Sequence, residues 1–254
     1  MPELTPEITL YILAAVTLAG LVHGTLGLGF PLTATPLLAL VMEIQSAILI
    51  TLLPNIAVNI LSIADGGGWR HSINRYWPLA LYAVAGTALG TAVLLHADPA
   101  PMKLLLALLI LLYLNLERIG RLDLRWITAR PRLAMLLFGL SAGFAAGTAN
   151  VMVPILVIFT LEAGLAAGAM VQLFNLCFLV GKSTQLGMFT LAGVLPGAMP
   201  PLVLPVLAAA VAALLIGMAI RRRIAGDSYR RLLRRVLLVM ALPLGLQFLL
   251  AVAA

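Results

Sequence analysis

Apolar residues run along this chain in long blocks parted by short polar connections, at about positions 8–26, 44–64, 76–95, 101–116, 133–148, 164–188, 200–220 and 232–252. An α-helix needs about 18 or more such residues to cross a hydrocarbon core of roughly 30 Å. Lipid offers the backbone no hydrogen-bond partner, so these blocks are expected to be helices. Two shorter apolar pieces, 31–42 and 151–161, each follow a glycine-rich interruption. About a dozen residues suits a half-helix or a re-entrant segment rather than a full span. The pattern predicts an all-α polytopic membrane protein with 8 to 10 transmembrane segments, depending on whether the short pieces cross fully.

Composition agrees. Of 254 residues, 63% are hydrophobic and 10% charged, against roughly 45–50% and about 25% in soluble domains. The formal net charge of +7 does not point to nucleic acid, because the arginines lie in short loops between apolar runs and form no continuous basic face. The expected partners are the lipid bilayer and a small solute, and a homo-oligomer is compatible with the sequence. Met1 to Glu7 carries Glu3 and Glu7 and no basic residue, so the first apolar block is expected to be retained and not cleaved as a signal peptide. The single cysteine, Cys177, lies inside an apolar block and reads as a small core residue.

The basic residues orient the chain, because cytoplasmic loops carry the Lys and Arg excess. Of the 16, all but Lys103 and Lys182 fall in three clusters: Arg70 and Arg75; Arg118, Arg121, Arg125, Arg130 and Arg132; and Arg221, Arg222, Arg223, Arg230, Arg231, Arg234 and Arg235. All three clusters should be cytoplasmic. Three plain spans between the second and third clusters would put them on opposite sides. If 133–161 turns back on itself as a hairpin, the conflict disappears. The same hairpin at 8–42 leaves the N-terminus outside, with the C-terminus also outside, in a plasma membrane of bacterial inner-membrane type. The two halves then run in opposite directions. The expected organisation is a first inverted-topology repeat at 1–118, a basic cytoplasmic linker at 119–132 and a second repeat at 133–254. Each repeat is a glycine-broken helical hairpin followed by three long transmembrane helices.

Self-comparison points the same way. At an offset of 118, Gly29 falls on Gly147, Pro36 on Pro154 and His23 on Ser141; further on, at an offset of 120, Ala47 falls on Ala167 and Asn55 on Asn175. With the runs Gly24-Thr25-Leu26-Gly27-Leu28-Gly29 and Gly139-Leu140-Ser141-Ala142-Gly143 through Gly147, followed by Pro36 and Pro154, the layout resembles the sulfite exporter TauE/SafE family, also called the 4-toluene sulfonate uptake permease family. Phe30 after Gly29, and Thr148-Ala149-Asn150 after Gly147, depart from that family's commoner glycine clusters. The resemblance covers essentially the whole chain and implies transport of sulfonates, sulfite or other small sulfur-containing anions.

A break inside a membrane helix is tolerated where the freed backbone faces protein, water or ligand. The helix that restarts after it presents unpaired N–H groups and a positive dipole end, which suit an anion. Substrate-binding candidates are therefore Thr25, Gly27 and Gly29 at the first break and Gly147, Thr148 and Asn150 at the second. In an inverted repeat both breaks would approach the midplane. On the long helices, Thr51, Asn55, Asn59 and Ser62 share one face, as do Gln172, Asn175, Lys182 and Ser183. Asn55, Asn59, Gln172 and Asn175 are candidate donors to the anion, although such amides also serve helix packing. Lys182 lies well inside a long span, whereas Lys103 stands at the start of its block, and Lys182 reads either as the anion's counter-charge or as a snorkelling side chain. His23, beside the first break, is a candidate carrier of a coupling proton. Glu43 and Glu162 should mark the exits of the short pieces.

Gly139-Leu140-Ser141-Ala142-Gly143 also spells G-x-S-x-G, but the strand-to-helix elbow such a nucleophile needs is not expected here. An intramembrane serine hydrolase is thus a remote alternative, and a passive anion channel a nearer one. No nucleotide-binding or metal-ligand motif is present, so no cofactor, metal or catalytic residue is assigned. The reading is a permease driven by gradients or by a partner. Cysteines introduced at Ser72, Thr128 and Ser228 are expected to resist an impermeant thiol reagent added outside intact cells, while one at Ala192 is labelled. Labelling of one or two of the first three would overturn the inverted topology.

Overall fold

The computed structural model describes residues 5–66, 69–96, 124–195 and 202–223, with isolated positions between 102 and 115. Its helices are α1 (Pro6–Leu26), α2 (Phe30–Ala39), α3 (Ile44–Gly66), α4 (Trp69–His96), α5 (Trp126–Ala129), α6 (Pro131–Ala149), α7 (Val153–Glu162), α8 (Ala167–Leu191) and α9 (Val203–Arg221). Five of them, α1, α3, α4 from Asn74, α6 and α9, are long and apolar enough to cross a membrane. At 25 residues α8 is also long enough, but Gln172, Asn175, Lys182 and Gln185 dilute its apolar character. The expected block at 232–252 and most of that at 101–116 lie outside the described residues.

Local chemistry sets the helix ends. Thr5 caps α1, its hydroxyl oxygen accepting from the Ile8 N–H at 3.4 Å, with Pro6 following as the first helical residue. Gly27, at φ 78°, ends that helix in the left-handed conformation that glycine adopts without strain. At the corresponding place in the second half stands Asn150, at φ 60°. It is the one non-glycine residue in that region among those described, and asparagine is among the few side chains that tolerate it. Pro31 and Pro154 then open the two ten-residue helices α2 and α7.

Two compact units result, each described by itself. One comprises 1–58 with 189–254, the other 59–188. These boundaries differ from the expected sequence halves, because each unit pairs helices drawn from both. In the first unit α1 packs on α9. A Cβ added at Gly24 would lie 2.2 Å from the Leu214 carbonyl oxygen and 2.9 Å from the Gly217 Cα, and one at Gly217 would lie 2.5 Å from the Leu21 carbonyl oxygen. In the second unit α6 packs on α4 in the same manner. A Cβ at Gly143 would lie 2.2 Å from the Ala83 carbonyl oxygen, one at Gly147 2.5 Å from that of Thr87, and one at Gly90 2.3 Å from that of Phe144. Backbones meet at both crossings with no side chain between them, the small-residue contact that lets membrane helices approach closely.

Each unit also contains a hairpin. The Tyr11 hydroxyl donates to the Leu37 carbonyl at 2.9 Å, which folds α2 back along α1. The Phe138 and Phe159 rings, 5.7 Å apart, do the same for α7 and α6. Trp126 stacks on Phe138, and Tyr76 meets Phe159 edge-on beneath the Arg75 guanidinium. Large aliphatic residues such as Leu18, Leu81, Leu89, Leu204 and Ile216 lie on the exposed faces, the side a bilayer would solvate.

The crossings yield a stability prediction. Gly24→Val and Gly143→Val drive a β-branched side chain into backbone, so each should lose roughly 1–3 kcal/mol or more. Gly168→Val and Gly187→Val, where nothing lies within 4 Å of an added Cβ, should leave melting in detergent nearly unchanged. Equal melting temperatures for the two pairs would overturn the assignment of the crossings.

Candidate functional site

At the first break α1 ends at Leu26 and α2 restarts at Phe30. Gly29, at φ 111°, sits where any other L-residue would be strained. His23 is buried, and its Nδ1 accepts the Phe30 N–H at 3.3 Å. The imidazole thus caps the restarted helix, and a proton on Nδ1 would break that bond. Thr25 directs its hydroxyl to the Leu21 and Val22 carbonyls of its own helix, both at 2.9 Å. Asn55 and Asn59 are fully buried.

The second break spans Asn150 to Met152, so of the expected Gly147, Thr148 and Asn150 only Asn150 stands in it. Gly147, expected at the break, lies inside α6 at the crossing with α4, since the small-residue packing there needs glycine for its own sake. Thr148 bonds its hydroxyl to the Phe144 carbonyl at 2.8 Å, as Thr25 does with Leu21. Asn150 is fully buried, and α7 starts with no side-chain cap. The register between the two hairpins is therefore 123 and not the expected 118: Gly24 and Gly147, Thr25 and Thr148, Gly27 and Asn150, and Pro31 and Pro154 correspond. Counted from their helix starts, Asn55 is the twelfth residue of α3 and Asn175 the ninth of α8, so this pair does not coincide.

In the second unit a turn of α8 lies against this break. Gly181 packs near the Met152 side chain and the Thr87 hydroxyl. Lys182, fully buried, donates to the Gln185 carboxamide oxygen, and the Gln185 Nε2 donates to the Gly147 carbonyl at 3.0 Å. Gln172 donates to the Ile63 carbonyl of α3 at 3.4 Å, a contact between helices, and Asn175 to the Val171 carbonyl of its own helix at 2.9 Å. Ser183, expected on the polar stripe, is exposed instead. Gln185 and the buried Thr87 and Thr91 were not singled out from the sequence. Gln185 was legible there as the residue three after Lys182, which shares its helix surface.

Ser141 lies on an exposed face with its hydroxyl given to the Leu137 carbonyl at 2.7 Å. An i−4 back-bond of this kind is the ordinary state of serine in a membrane helix. No group of three metal-ligating side chains occurs among the described residues. Neither the curated proteins nor the solved structures compared with it give a match. The family model for the sulfite exporter TauE/SafE matches residues 12–246. With its membrane-spanning helices and a match over nearly its whole length, the chain belongs to the sulfite exporter TauE/SafE family of membrane transporters.

Proposed function

We propose that this chain is a secondary transporter that moves a small sulfur-containing anion, a sulfonate or sulfite, by alternating access, and that it is built as two inverted repeats. The single observation that carries the reading is the second break, where α7 starts uncapped and the last turn of α6 before it is tied through Gln185 to a fully buried lysine. Unpaired N–H groups, a helix dipole and a cation together attract an oxoanion and hold it without metal or cofactor. At about 1.5 Å per residue, the ten residues of α7 cover about 15 Å, half of a roughly 30 Å core. An aromatic cluster with Arg75 near the far end of α7 suits an interface, which puts the break near mid-depth. Equal separations of 123 between the hairpins, together with the three basic clusters, support the inverted repeat.

In this reading Lys182 is the anion's counter-charge, Asn150 and the start of α7 frame it, and Asn55, Asn59, Gln172 and Asn175 are further candidate substrate-binding amides. His23 is the candidate coupling group, through the bond its protonation would break. Reconstituted protein should accumulate a radiolabelled sulfonate against its gradient, saturably. Flux that only dissipates a gradient would mark a channel. Lys182→Met should abolish uptake at unchanged expression, and Asn55→Leu should weaken binding by about 1–3 kcal/mol, as for an unmet polar group. Gly29→Val should be worse than Asn55→Leu, because φ 111° is closed to valine. Normal rates in all three variants would return these residues to helix packing.

A further inference from the structure

Building on the transporter reading, we propose that Lys182 and Gln185 make the site selective for a singly charged oxoanion, with Gln185 as the positioning residue that keeps the lysine's charge available. The tether arises from a helix end. In an unbroken α6 the Gly147 carbonyl would accept from the Val151 N–H, but that N–H turns to the Ala145 carbonyl at 3.3 Å as the helix stops. The orphaned Gly147 oxygen takes the Gln185 Nε2 at 3.0 Å instead. A carboxamide has one donor end and one acceptor end, so binding Gly147 through nitrogen turns Oε1 toward Lys182. The lysine is held beside the break by a neutral acceptor that cancels none of its charge.

Nothing else nearby cancels it. Among the described residues Lys182 makes no ion pair, and its one hydrogen-bond partner is Gln185. The facing stretches of α3 (59–64), α4 (79–95), α6 (133–149) and α7 (153–161), and α8 itself, contain no Asp or Glu. Asp65 and Glu162 stand at the ends of α3 and α7, and the other titratable groups on these helices are Arg70, His71, Arg75, Tyr76, Tyr82, His96, Arg132 and Cys177. Two ammonium protons of Lys182 and the fully buried Thr91 hydroxyl have no partner among the described residues. The Thr91 amide nitrogen borders Gly147, the residue to which Gln185 is tied. A buried cation without a carboxylate asks for its counter-charge from a ligand. One negative charge balances it. A second would stay uncompensated in a low-dielectric setting, since a helix dipole supplies only about half a charge.

The test is uptake of methanesulfonate and of ethane-1,2-disulfonate by the full chain in liposomes, with thermal-shift binding of each anion in parallel. Wild type should prefer the monoanion by about tenfold or more, the cost of one unbalanced charge. Gln185→Leu frees the lysine and should weaken uptake moderately while keeping the preference. Gln185→Glu should lose uptake far more at neutral pH, because its carboxylate becomes an internal counter-ion, and should recover on acidification as that carboxylate is neutralised. Two variants that lose uptake alike, with no recovery in acid, would show a merely structural glutamine and overturn the proposal. So would equal uptake of the two anions by wild type, with the transporter reading standing, or full methanesulfonate uptake by Lys182→Met, which would leave a transporter whose anion site lies elsewhere. Wild type that neither binds nor moves either anion would overturn both.

Discussion

Backbone-on-backbone contact at the two glycine crossings is the constraint on which the remaining geometry depends. Apolar burial cannot hold helices together in lipid, because the tails are as apolar as leucine; close packing must do it. At Gly24 with Gly217, and at Gly147 with Gly90, the approach is so near that an added Cβ would sit within 3.1 Å of the partner's backbone. Such contacts are short-ranged and tolerate little sliding, so they set the depth of each hairpin along its neighbour. The break lies only three residues beyond Gly147 and three beyond Gly24. Its position is thereby set by the crossing and not by the loop.

The two breaks satisfy their backbone differently. In the first, His23 reaches seven residues ahead to accept the Phe30 N–H, so the restarted helix is closed by a titratable group. In the second, the residue at the equivalent position is Ala146, which has no ring to offer, and α7 begins uncapped. A similar backbone path therefore carries unlike chemistry, a histidine cap on one side and a lysine with a glutamine on the other.

Much of the fold was legible because lipid leaves few options. Block lengths gave helices whose ends fall within a few residues of those observed, except for the start of α4 and for α5, which no block covers, and the short pieces fold back along the helices before them. The register was misread because matching Gly29 to Gly147 treats glycine as one kind of signal. Gly29 answers a positive φ, whereas Gly147 answers a helix crossing at φ that any residue could adopt. The residue equivalent to the first αL cap is Asn150, a different amino acid meeting the same torsional demand. Side-chain hydrogen bonds were hidden for another reason. Thr25, Thr148 and Asn175 are polar on a buried face, and nothing in their spacing says that they spend their donors on their own helix.

Lys182 shows how burial bears on two readings that sequence leaves level. A snorkelling lysine keeps its ammonium in water and lays only its carbon stem on apolar surface. Here the whole side chain is 1% exposed, and nine residues, about 14 Å of helix, separate it from the end of α8 at Leu191. Its ammonium turns to Gln185, one turn further along the same helix, and Gln185 is itself wholly buried. Extension toward the interface would break that bond and leave the buried Gln185 carboxamide oxygen without that donor. A lysine held in this way, tied through Gln185 to the last turn of α6, is no anchor at the membrane surface, and the anion site proposed above would use it.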